Sequence, residues 1–149
     1  MLKYITLVFL LITTFQVCAS DEDDKWNLNP TLSEVSEDKV FIPEDLESAF
    51  KELSSMLSPI LIDEMKSNSE EDMILYHRGL GMWLRNNWGL WGSSKLSKYF
   101  KNIGINHPDD MSGIILDSYW RKLNDVPINL DKQVKYYQDY WSEVEANSE

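Results

Sequence analysis

Beyond residue 41, apolar side chains recur every three or four positions, the spacing of one buried helical stripe. Leu46, Phe50, Leu53 and Leu57 form the first stripe, and Ile42-Pro43-Glu44-Asp45 places a proline and two acids in a first helical turn, which suits the helix dipole. Pro59 stops that helix and opens another through Ile60, Leu61 and Met65, which Ser67-Asn68-Ser69 ends. Met73, Tyr76 or His77, Leu80 and Leu84 then mark a central helix over about Glu70 to Asn87. Gly89 and Gly92 read as turns, and Ser93 or Ser94 caps a helix carrying Leu96, Tyr99, Phe100 and Ile103, closed by Gly104. His107-Pro108-Asp109-Asp110 opens a helix with Met111, Ile114, Ile115, Tyr119 and Leu123 on its apolar face. Leu130, Val134, Tyr137 and Trp141 mark the last. No strand-like alternation and no internal repeat is found. The pattern predicts an all-α fold, a single compact domain of about five to six helices over residues 41–142, with a polar tail over 143–149.

The pattern ahead of residue 41 is different. Lys3 precedes an uncharged, mostly apolar run from Tyr4 to Phe15, and Val17 and Ala19 occupy the −3 and −1 positions of a cleavage site before Ser20. That is the layout of a signal peptide over residues 1–19, and the run is short for a membrane span. Residues 20–40 are acidic and polar, with Asp21, Glu22, Asp23 and Asp24 in a row, and read as a flexible disordered tether. The expected location is periplasmic or secreted, with no membrane span after cleavage. The alternatives are an uncleaved anchor, or lipidation of Cys18 as in an outer-membrane lipoprotein.

The formal charge of −11, from 25 acidic against 14 basic residues, argues against nucleic acid as a partner. The single cysteine, Cys18, lies in the leader, so residues 20–149 can hold neither an internal disulfide nor a thiolate metal site.

Candidate chemistry concentrates in Gly79 to Trp91, GLGMWLRNNWGLW, which holds half of the six tryptophans. Trp83, Trp88 and Trp91 beside Arg85, Asn86 and Asn87 combine aromatic platforms with amides and a guanidinium, a set suited to a sugar, a carboxylate or a peptide end. Gly79 and Gly81 within the helix point to a close approach by another backbone or an aromatic ring. The structural alternative is that Arg85 pairs with a buried acid, Asp110 or Asp117, while the asparagines bond helix ends.

The segments YHRGLGMW (76–83), LRNNWGLW (84–91) and HPDDMSGIIL (107–116) resemble a family of small, functionally uncharacterised bacterial helical domains. The resemblance covers roughly Ile42 to Trp141. It implies no activity, no cofactor and no catalytic residue.

A second set is His77, His107, Asp109 and Asp110, which includes both imidazoles of the chain and could hold a divalent ion. The histidines lie thirty residues apart with no HExxH-like spacing, and the acids already suit a helix start. No nucleophile elbow, phosphate loop or dinucleotide fingerprint occurs. The expectation is a non-enzymatic exported domain, without cofactor, that binds an unidentified protein or small polar ligand. The alternative is an extracytoplasmic hydrolase, metal-assisted or carboxylate-based.

Overall fold

The structure, a computed structural model, describes residues 40–148. The expected leader, Cys18 and all but the last residue of the expected tether lie outside the described residues. Six helices follow one another: α1 (Leu46–Met56), α2 (Pro59–Ser67), α3 (Met73–Tyr76, His77–Gly81 and Met82–Asn87 in succession), α4 (Lys95–Asn102), α5 (Pro108–Leu123) and α6 (Leu130–Ala146). Among the described residues all regular structure is helical. None of these helices is long and apolar enough to cross a membrane.

Local chemistry sets the helix starts. The proline and acids expected in the first turn of α1 instead precede it: Asp45 is its cap, in a reciprocal capping box with Ser48. Ser58 caps α2 ahead of Pro59, and the Ser94 hydroxyl accepts from the Ser97 amide to open α4. Pro108 begins α5 with Asp109 and Asp110 in its first turn, and His107 serves as the cap. Asn129 enters α6 at φ 49, a left-handed conformation that asparagine tolerates.

α5 is the axis of the fold. Met111, Ile114, Ile115 and Tyr119 are fully buried, and Phe50, Leu53, Leu84, Trp88 and Phe100 join them in one core. Burying each such side chain contributes about 2 kcal/mol, so the apolar stripes dominate the stability of the domain.

α3 departs from the regular helix the sequence suggests. It consists of Met73–Tyr76, a π-helical turn His77–Gly81 and Met82–Asn87. The π turn absorbs about one extra residue. His77 and Arg85, eight positions apart, would lie about 80° apart around an α-helix, and the insertion brings them to within about 20°. The helix begins at Met73 rather than near Glu70. Residues 69–72 instead form a turn in which Asp72 accepts from the Ser69 amide.

α6 also differs. It continues to Ala146, past the polar tail expected from Glu143, and buries none of its residues fully. Leu130, Val134 and Tyr137 are half-buried against the core, as the expected face requires, while Trp141 stays partly exposed. α6 lies along α5 as an outer layer.

Candidate functional site

Arg85 sits at the junction of α3 and α5. Only 8% exposed, it points Nη1 at Asp109 Oδ1 (3.0 Å), at the Ser112 hydroxyl (2.8 Å) and at His77 Nε2 (3.3 Å). Ser112 Oγ in turn donates to the Asp109 carbonyl. The guanidinium lies back along its own helix over Gly81, where an added Cβ would stand 3.3 Å from Nη1. The nearest approach at Gly81 is therefore made by the Arg85 guanidinium of the same helix, not by another backbone as the helical glycines suggested.

The partner of Arg85 is neither of the expected acids. Asp109 and Ser112 are three apart and share the side of α5 that faces α3. Asp110, turned about 100° around the helix, faces α6 instead. There its Oδ2 accepts the Trp141 indole N–H at 2.7 Å. Asp117, two turns along the Asp110 side, lies near Glu70 and Arg121, and Glu70 is held by Arg121 Nε at 2.6 Å.

Asp109 is the hinge of the polar group. Besides Arg85 it lies 3.4 Å from His77 Nε2 and, through Oδ2, 3.5 Å from His107 Nδ1. His107 Nδ1 also accepts the Asp109 amide at 3.3 Å, which orients the ring. The other face of that imidazole stacks, tilted by 37°, on Trp141 at 5.3 Å between centroids.

His77, His107, Asp109 and Asp110 thus line one open cleft of about 360 Å³, with Tyr136, Tyr137, Tyr140 and Trp141 of α6 as its other wall. A neighbouring cleft of about 410 Å³ shares His107, Asp110, Tyr137 and Trp141 and is rimmed by Glu145. Burial pushes the Asp110 carboxyl above its ordinary range, opposed by the Trp141 hydrogen bond. Burial also raises the Tyr137 hydroxyl well above the usual phenol range, and the nearby Asp117 and Asp110 charges add to it.

The tryptophan-rich segment is divided by the fold. Trp88 is fully buried, with an indole N–H that has no partner among the described residues, and Trp83 meets it edge-on at 6.3 Å. Asn87 donates to the Trp83 carbonyl within the helix. Trp91, 60% exposed, donates to the exposed Asn86. Of the six residues, Trp83, Asn87 and Trp88 knit the end of α3 to the core, Asn86 and Trp91 form a surface pair, and Arg85 alone reaches the polar group under α6.

Sequence reasoning missed Ser112, Tyr136 and Tyr140, and read Tyr137 and Trp141 only as an apolar face. The available signal was two i, i+4 aromatic pairs, Tyr136 with Tyr140 and Tyr137 with Trp141, side by side on one helix.

As for a metal, among the described residues no group of three or more His, Cys, Asp or Glu side chains is placed to hold an ion. The Arg85 charge already occupies Asp109 Oδ1, and a divalent ion there would meet its repulsion.

No curated protein and no solved structure matches the chain. A family model does match, over residues 42–123, beginning where the sequence resemblance begins and ending at the last residue of α5, before α6. The chain belongs to that family, described as a domain of unknown function (DUF6794).

Proposed function

We propose that the chain is an exported, non-enzymatic helical domain that binds a protein or small polar ligand in the cleft between the start of α5 and α6. The observation that carries this reading is the convergence of His77, His107, Asp109 and Asp110 with Tyr136, Tyr137, Tyr140 and Trp141 around one open cleft. A concavity with an aromatic wall and a few oriented polar groups is the usual form of a recognition site. The polar groups are already fixed by partners within the domain: Asp109 by Arg85, Asp110 by Trp141, His107 by the Asp109 amide. They offer defined hydrogen-bonding edges to a ligand. Export is supported by Lys3, the apolar run to Phe15 and the Val17/Ala19 pair.

Chemical-shift mapping of the purified protein against sugars, carboxylates, amines and short peptides tests the site. Shifts should gather on His107, Asp110, Tyr140 and Trp141. Shifts confined to Trp83–Trp91 would move the site, and none at all would overturn it. For export, N-terminal sequencing should find a chain starting at Ser20. An intact Met1 in the cytoplasm would refute cleavage, and a diacylglycerol mass on Cys18 would make it a lipoprotein.

The hydrolase reading draws on the same four residues lining one cleft. Metal analysis of the purified protein separates it from the binding reading, because stoichiometric zinc or manganese would favour the enzyme.

A further inference from the structure

Asp110 is unusual among the acids of this domain. It is 8% exposed, yet among the described residues no lysine or arginine stands within ion-pair distance of it. Its one hydrogen bond comes from a neutral donor, the Trp141 indole, to Oδ2. Oδ1 takes part in no hydrogen bond among the described residues, and the residue lines both clefts that meet at Trp141. A carboxylate buried to this degree, with no lysine or arginine beside it and only the His77 and His107 imidazoles near, is costly, and a cation supplied from outside would offset that cost.

The walls select the kind of cation. Trp141 lies between two other rings, His107 at 5.3 Å and Tyr140 at 5.2 Å, and Tyr140 is half exposed. Aromatic faces attract organic cations, whereas a hard divalent ion requires a shell of oxygens. Glu145 adds a second carboxylate on the rim. The net charge of −11 steers cations toward the surface and repels anions. A neutral sugar would leave Asp110 uncompensated.

We infer that this cleft recognises an organic cation, an ammonium or guanidinium group, with Asp110 as its counter-charge and Trp141, Tyr140 and His107 as its aromatic walls. The inference rests on the binding reading above and names its ligand class. The chemistry is shared by a free amine and by a basic side chain of a peptide, so both are probed.

The test is a titration of the full isotope-labelled protein with cadaverine and with the tripeptide Gly-Lys-Gly, each in 150 mM salt, read at the Trp141 indole N–H resonance. Acetate and glucose serve as anionic and neutral probes. Saturable shifts with the amines alone are expected, weakened at least tenfold in Asp110→Asn, which preserves the acceptor for Trp141. Tyr140→Ala, a change at an exposed ring, should weaken binding at least threefold while leaving the helical spectrum intact. Asp131→Asn, an exposed acid in the first turn of α6, should change nothing. Tighter binding of the tripeptide than of cadaverine would assign the ligand to a protein segment, and the reverse to a free amine. Saturation by acetate or glucose with no response to the amines would overturn the inference and leave the cleft a binding site. Amine binding unaffected by Asp110→Asn would overturn it as well. No response to any probe would overturn both this inference and the reading it rests on.

Discussion

Asp109 and Asp110 are neighbours in the chain, yet each serves a different helix. Asp109 takes the Arg85 guanidinium of α3 at 3.0 Å, while Asp110 takes the Trp141 indole of α6 at 2.7 Å. Both occupy the first turn of α5, where the helix dipole favours a negative charge. The turn of about 100° between successive helical residues aims the two carboxylates at different neighbouring helices. Asp109 thus ties α5 to α3, and Asp110 ties it to α6, the helix that follows the family match.

Arg85→Met should destabilise the domain by about 2 kcal/mol. The change leaves the buried Ser112 hydroxyl without its donor and Asp109 without its cation. The figure falls below the cost of breaking a fully buried pair because the Asp109 side chain is 39% exposed and can be hydrated. Arg85 Nε, which has no partner among the described residues, is an existing cost that the methionine removes. Urea denaturation measures the effect, and Arg85→Met combined with Asp109→Asn should recover part of it. An unchanged midpoint for the single variant would show that the contact holds nothing in place.

Most of the fold can be read from the spacing of apolar residues, because α1, α4 and α5 are ordinary amphipathic helices with proline, serine or aspartate at their starts. α3 is where that reading loses register. A stripe through Met73, Leu80 and Leu84 accepts Tyr76 or His77 equally, and the residue that cannot be assigned lies where the π turn absorbs an extra position. Periodicity assumes 3.6 residues per turn and has no signature for such an insertion. The choice of Asp109 over Asp110 for Arg85 was hidden for a related reason, since only the rotation of α5 relative to α3 decides it. Both histidines and both aspartates were identifiable as residue types capable of forming a site. Their convergence depends on α6 crossing α5, which the spacing within either helix does not encode.

Gly113→Ala should loosen α6 without unfolding the domain. Tyr137 crosses α5 at this glycine, so an added Cβ would stand 2.5 Å from its hydroxyl. Alanine would otherwise favour the helix by up to about 1 kcal/mol. Here it pushes Tyr137 outward, and α6, which buries no residue fully, can yield. Hydrogen exchange should accelerate over 130–146 and stay slow in α5. Adding Tyr137→Phe removes the clashing oxygen and should restore slow exchange. Unchanged protection of α6 in Gly113→Ala would show that the helix does not seat on this glycine.

Asp117→Asn should stabilise the domain, and the gain should depend on pH. Burial pushes the Asp117 carboxyl up to about 6 from its ordinary 3.8, and the Glu70 charge adds to the rise while Arg121 opposes it. A carboxyl with a raised folded value binds its proton more tightly in the native state than in the unfolded chain. Its charged form is therefore a liability that is absent below the unfolded value, grows as pH climbs from 3.8 to about 6, and is complete above that. Two pH units correspond to about 3 kcal/mol, which the partial exposure of this side chain lowers to about 2 kcal/mol. Asparagine keeps the shape and carries no charge. Unfolding free energies of parent and variant, from denaturant titrations, should differ by that amount at pH 7 and converge near pH 3.5. A difference that stays constant across that range would mean that the gain comes from packing, and that Asp117 titrates as an ordinary surface acid.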